Sequence, residues 1–112
     1  MNLETGPCRT VVQTSALFQC FTDAGDRAEQ DMQTVYAGIL KALGPEDRDR
    51  LVASQGAWRT GRDYDCQSEY RLYGGGSGGP PAKAACRYFK TKDRTRDLTD
   101  IYGWVVSKQV TR

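Results

Sequence analysis

The stretch L-V-A-S-Q-G-A-W-R-T-G-R-D-Y-D-C, residues 51–66, decides the reading of this chain together with C-R-Y-F-K-T-K-D-R-T-R-D-L, residues 86–98. Leu51, Gln55, Trp58, Arg62 and Cys66 follow one another at steps of four, three, four and four residues. Those steps return to one face of an α-helix. The face joins an apolar residue, an amide, a large aromatic, a guanidinium and a thiol, with Asp63 next to the guanidinium. Thr91, Arg94 and Leu98 form a second face at steps of three and four. Both faces predict contacts between helices. Trp58 is expected in the core and Gln55 as a half-buried amide bonded to a neighbouring helix. The Arg62 stem should pack while its guanidinium reaches an acidic partner or helix C-terminal carbonyls, and Arg94 should clamp helices together rather than bind substrate. A functional reading of Trp58 and Arg62 also stands, because both residue types are enriched at the centres of interfaces.

The flanking segments predict an all-α chain, a small bundle of three to four helices. A turn between Cys8 and Cys20 leads into a short helix at residues 15–21. Asp26 and Glu29 have capping-box spacing for a second helix, in which Ala28, Met32, Val35, Tyr36, Ile39 and Leu43 recur at helical steps. Gly44-Pro45 ends it, with glycine in the left-handed conformation and proline opening the next helix, expected over residues 45–66. Gly56 and Gly61 inside that helix suggest close passage of another. Y-G-G-G-S-G-G-P-P, residues 73–81, is a loop, and a last helix is expected from Pro81 or Ala82 to Leu98. The tail, residues 101–110, fits either a helix or a strand, and the helix is the expectation.

With 112 residues, one domain spanning residues 1–112 with a single modest core is expected. Residues 1–49 hold 8 acidic and 4 basic side chains and residues 50–112 hold 6 and 12, so the halves carry about −4 and +6. This asymmetry suits either an acidic partner at the second half or solvated helix faces of mixed sign. Histidine is absent, which removes the usual general base and the commonest metal ligand. No run approaches the ~20 apolar residues of a membrane-spanning helix. Basic Arg87, Lys90, Lys92, Arg94 and Arg96 alternate with Asp93, Asp97 and Asp100, a pattern of exposed helical pairs rather than nucleic-acid binding. No group of nucleophile, base and oxyanion donors stands out, so neither an enzyme nor a cofactor is expected.

Cys8, Cys20, Cys66 and Cys86 form an even set in a small chain, which suits two disulfides and an oxidising compartment. A four-cysteine zinc site and two reduced pairs are the competing uses. Four cysteines allow three pairings. Local links, Cys8 to Cys20 and Cys66 to Cys86, are expected because each pair brackets a segment able to turn. Met1-Asn2-Leu3 does not begin a signal peptide, so an exported protein would be present here as its mature part.

The spaced residues resemble the lysozyme-inhibitor LprI family, whose pattern runs approximately L-x-x-x-Q-x-x-W-x-x-x-R-D-x-x-C and then C-x-x-x-x-T-x-x-R-x-x-x-L. The likeness covers residues 8–98. Tyr36 resembles the tyrosine of the family's L-N-x-x-Y element, although Met32 and Gln33 replace its leucine and asparagine, and Leu17 stands where the family is often acidic. The resemblance implies a helical, disulfide-bonded protein exported by bacteria, periplasmic or secreted, with lysozyme inhibition as the activity of the member that names the family. The glycine-rich loop lacks the order of a phosphate-binding loop. It is read either as a tolerated insertion or as a partner-binding loop, with Arg71, Tyr73, Gly75, Ser77, Gly79 and Lys83 as candidate contacts. The partner would be a lysozyme or, on the alternative reading, another envelope-directed toxin or an envelope complex. Basic Lys83 or Arg71 could approach the catalytic carboxylates of a glycoside hydrolase. Against that stands the overall +2 charge, which gives no long-range attraction to a basic lysozyme.

Overall fold

Two extended residues, Leu43 (φ −92°) and Gly44 (φ −70°), interrupt the first long helical pattern. Pro45 forces the residue before it away from helical geometry and then occupies the first turn of the next helix, where its missing N–H is no loss. Gly44 is therefore not in the expected left-handed conformation, and proline does the breaking. In a computed structural model, which describes residues 6–110, three helices result: α1 (Thr14–Ala42), α2 (Pro45–Arg71) and α3 (Gly79–Val110). The first residues, Met1-Asn2-Leu3 among them, and residues 111–112 lie outside that range.

The cysteine pairing is local, as expected. Cys8 and Cys20 are joined with their Cα atoms 6.0 Å apart, and Cys66 and Cys86 with theirs 5.5 Å apart. The chain turns before α1, where the Val11 N–H donates to the Cys8 carbonyl at 3.0 Å. The short helix expected at residues 15–21 does not end, because Asp26 and Glu29 lie inside a continuous α1 and form no cap. Asp26 instead accepts a 2.9 Å bond from Arg87 Nη2, and Glu29 turns inward. Ala24, Gly25 and Ala28 are buried, and a Cβ on Gly25 would lie 3.2 Å from Arg87 Nη1. Small residues here let the Arg87 side chain of α3 lie across α1.

α2 runs five residues beyond the expected end at Cys66, and α3 starts at Gly79 rather than Pro81 and runs through the tail as a helix. Nothing approaches within 4 Å of a Cβ built on Gly56 or Gly61, so the inferred close passage at those glycines is wrong. Both are exposed helix-interior positions. Gly56→Ala and Gly61→Ala are each expected to raise stability by about 1 kcal/mol. Urea unfolding of the two variants checks this, and a loss of stability would reveal a contact at these positions.

α1 and α3 run parallel, with α2 antiparallel to both, in a bundle 52 × 25 × 17 Å in extent. Two apolar clusters lie along it. At the end near the α2–α3 loop, Cys8, Leu17, Phe21 and Ala85 pack with Tyr88 and Phe89. At the other end, Met32, Ile39, Leu51 and Leu98 pack with Tyr36, Tyr102 and Val106. A polar layer separates them. Trp58, expected in the core, is only half-buried at the edge of the second cluster. The Arg62 and Arg94 guanidinia lie over its ring at 5.0 and 5.8 Å from the centroid. Its indole serves as a platform for two cations, each worth about 0.5–1 kcal/mol when exposed and more when desolvated.

Candidate partner-binding site

The family-pattern residues converge on the polar layer. Arg62, only 6% exposed, donates from Nη1 to Glu29 Oε2 of α1 at 2.8 Å and to the Thr91 hydroxyl of α3 at 3.2 Å. Its Nε donates to Asp63 at 2.9 Å. Arg59 pairs with the other Glu29 oxygen. Burial pushes the Glu29 carboxyl up, but the Arg59 hydrogen bond and then the charge of Arg62 outweigh it and hold the group below its ordinary 4.5. The buried Gln55 amide donates to Met32 Sδ at 3.5 Å and accepts from Arg94 Nε at 2.9 Å. One amide thus contacts both neighbouring helices, as its spacing predicts. Among the described residues no buried side-chain polar atom lacks a partner. Leu51 and Leu98 are buried beside this layer and Tyr36 packs against them. These groups tie helices together, and their satisfied bonds leave nothing directed at a ligand.

The loop end is built differently. Successive turns carry the chain from α2 to α3: Tyr73 N–H to the Tyr70 carbonyl, Gly74 to Arg71, Gly76 to Tyr73 and Gly79 to Gly76. Gly74 (φ +57°) and Gly75 (φ +84°) occupy left-handed conformations that other residues adopt at a cost. A Cβ on Gly78 would fall 2.8 Å from the Tyr73 ring, and one on Gly79 3.1 Å from the Tyr70 ring. The glycine run therefore folds against two tyrosines. Of the candidate contacts, Gly79 is buried as the first residue of α3, whereas Arg71, Gly75, Ser77 and Lys83 are exposed. Tyr73 is 37% exposed and its neighbour Leu72 83%.

Beside the loop a groove of about 560 Å³ opens between all three helices, lined by Phe18, Gln67, Tyr70, Pro80, Lys83 and Arg87 among others. Lys83 Nζ donates to Gln67 Oε1 at 2.9 Å and lies 5.8 Å from the Tyr70 ring centroid. Both partners are neutral, so Lys83 keeps its charge beside the Tyr70 ring, while Asp63 and the Asp26-paired Arg87 also line the groove. Sequence reasoning reached Lys83 but not Phe18, which is 42% exposed on α1. Its signal was an aromatic one step from the core residue Leu17, too common a pattern to single out.

Residues 8–98 match the family described as lysozyme inhibitor LprI. This chain belongs to the LprI family. The matched span contains all four cysteines, the polar layer, the loop and the groove, so the LprI unit includes α1, α2, the loop and most of α3. No curated protein and no solved structure shows a significant match. Membership supports an inhibitor-type binding role. No helix among the described residues is long and apolar enough to cross a membrane. Nor do those residues include a group of three or more His, Cys, Asp or Glu side chains placed to hold a metal ion.

Proposed function

We propose that this protein works outside the bacterial cytoplasm as an inhibitor that binds a lysozyme through the loop end, with Tyr73, Lys83 and the adjoining groove as its contact surface. The observation that carries this reading is the groove beside the glycine-rich turns. It combines exposed aromatic surface with a cation held by neutral partners, whereas the polar layer is fully occupied by internal bonds. Such a surface suits a carboxylate flanked by apolar groups, the chemistry of a glycoside-hydrolase cleft. The folded turns reduce the ordering cost that a loose glycine chain would meet on binding. The two disulfides support an oxidising compartment, periplasmic or extracellular.

A second reading, neutralisation of another envelope-directed toxin, is favoured by the charge around the groove. Arg71, exposed, and Lys83, held by neutral partners, would repel a strongly basic lysozyme at long range and attract an acidic target.

Shortening residues 74–78 and, separately, Lys83→Glu are expected to lower inhibition of muramidase activity at least about tenfold, because a like charge faces the carboxylate in the latter. Lys83 is exposed, so its melting temperature should stay close to the parent's. Inhibition retained by both stable variants would move the site away from this end. Inhibition of no lysozyme by the parent, with capture of a different envelope protein through Lys83, would favour the second reading.

A further inference from the structure

Cys66 is the last buried residue of α2, and residues 67–71 beyond it are exposed or half-buried. At this end of the bundle the apolar cluster draws on the turn before α1, on α1 and on α3. Among the described residues it takes no member from α2. Apart from the loop itself, the final turns of α2 are thus held by the Cys66–Cys86 bond and by a few weaker ties. These are the Lys83–Gln67 hydrogen bond at 2.9 Å, the Lys90–Asp65 pair at 3.5 Å and the Tyr70 ring beside Gly79. Lys90 and Asp65 are 42% and 61% exposed, and a pair so open to water holds little.

We propose that the Cys66–Cys86 disulfide is a redox latch on the loop-end groove, opened by a dithiol reductant, a regulation that rests on the reading of this groove as the contact surface. Cys66 itself lines the groove, so its sulfur is approached from the side on which a partner docks. Tyr70 stands four residues after Cys66 and Lys83 three residues before Cys86, about one helical turn in each case. The disulfide therefore sets the spacing between a ring and a cation that belong to different helices. Cys8–Cys20 is placed differently, since Cys8 is fully buried and Cys20 packs with it in the apolar cluster. Access favours exchange at Cys66–Cys86, and breaking that bond frees α2 without unpacking the cluster.

The step is a thiol–disulfide exchange. A thiolate of the dithiol attacks the Cys66 sulfur, the bond to Cys86 breaks, and Cys86 leaves as a thiolate that takes up a proton. The second thiol, as its thiolate, attacks the mixed disulfide, closes the reductant's own disulfide and releases Cys66, which is protonated in turn. Two electrons and two protons pass from the dithiol to the protein. The end of α2 then separates from α3 as far as Arg62, whose bonds to Glu29 and Thr91 still hold. Gln67 and Tyr70 move away from Lys83, and the groove loses one wall.

Equilibration of the intact protein in buffers of reduced and oxidised dithiothreitol at stepped ratios tests this. Released thiols are alkylated and located by peptide mapping, and amide exchange and muramidase inhibition are followed on the same samples. Cys66 and Cys86 should be released at a ratio at least about tenfold less reducing than Cys8 and Cys20. In that singly reduced protein the amides of residues 67–79 should exchange at least about tenfold faster while those of α1 and α3 keep the parent's rates, and inhibition should fall by a similar factor. Cys66→Ser combined with Cys86→Ser should reproduce the open form without reductant. Release of Cys8 and Cys20 first, or loss of helical circular dichroism together with the first disulfide, would overturn the latch. So would residues 67–79 that stay protected in the singly reduced protein and in the double variant, or inhibition that survives their opening. Local opening in a protein whose oxidised form inhibits no lysozyme would uphold the latch and overturn the lysozyme reading instead.

Discussion

Reduction of both disulfides is expected to unfold the protein at room temperature. The cross-links close loops with sequence separations of 12 and 20 residues. Limiting the unfolded chain in this way contributes about 3 kcal/mol for each loop of such size. Together the two approach the whole stability of a typical small protein, about 5–15 kcal/mol. The two apolar clusters along the bundle are small, so little else can compensate. Thermal melts with and without a phosphine reductant, followed by circular dichroism, check this. Paired alanine replacements at Cys8 and Cys20, or at Cys66 and Cys86, should each lower stability by about 3 kcal/mol. A reduced protein that melts within a few degrees of the oxidised one would show that packing alone maintains the bundle.

Glu29→Ala should be the most damaging single substitution in the polar layer. It leaves the buried Arg62 guanidinium with exposed Asp63 and the Thr91 hydroxyl and removes the Arg59 partner, at a cost of about 1–3 kcal/mol for the unmade bonds. Replacing Glu29 and Arg62 together by leucine and methionine should recover much of that loss, because the desolvation of both charges disappears with them. The same carboxylate makes stability depend on acid. Its pKa in the folded protein lies below the unfolded value of 4.5. The contribution is therefore complete above about pH 4.5 and is lost as pH falls from there through the lower folded value. Urea unfolding of the parent and of Glu29→Gln as a function of pH measures it. The gap between the two should be widest near neutrality and close on acidification, and a gap independent of pH would remove Glu29 from the network.

Much of this layer was legible because helical spacing alone places Leu51, Gln55, Trp58, Arg62 and Cys66 on one side. Residue chemistry then assigns the amide and the guanidinia to bonds between helices. Spacing does not fix how deep a side chain sits. Trp58 was expected inside, but the two arginines that cover its ring also hold it at the edge. The misreading of Asp26 and Glu29 has a simple cause, since a capping box and two neighbours on a continuous helix share the same three-residue step. The distinction lies in partners distant along the chain: Arg87 is 61 residues from Asp26, and Arg62 is 33 from Glu29. The glycines failed in the opposite way. Gly25, which was not singled out, is where a side chain of α3 crosses, while the conspicuous Gly56 and Gly61 face open space. The groove was invisible for a related reason, as its wall joins Phe18, Tyr70 and Pro80 from three helices whose adjacency exists only in the fold.

Both disulfides lie at the end of the bundle that carries the glycine-rich turns, and the junction at Leu43 and Gly44 together with the last turns of α3 has no covalent tie. Opening of the native state is therefore polar in direction. The last turns of α3 and the Leu43 junction can separate in small steps, limited by non-covalent ties such as the second apolar cluster and the 3.2 Å bond from Arg48 Nε to the Leu40 carbonyl, while the cross-linked end comes apart only when the whole molecule does. Amide hydrogens should exchange along α3 with rates that rise toward Val110. A protease would meet its first susceptible bonds at that end, so a nicked molecule could lose its tail and still keep the surface presented around Tyr73 and Lys83.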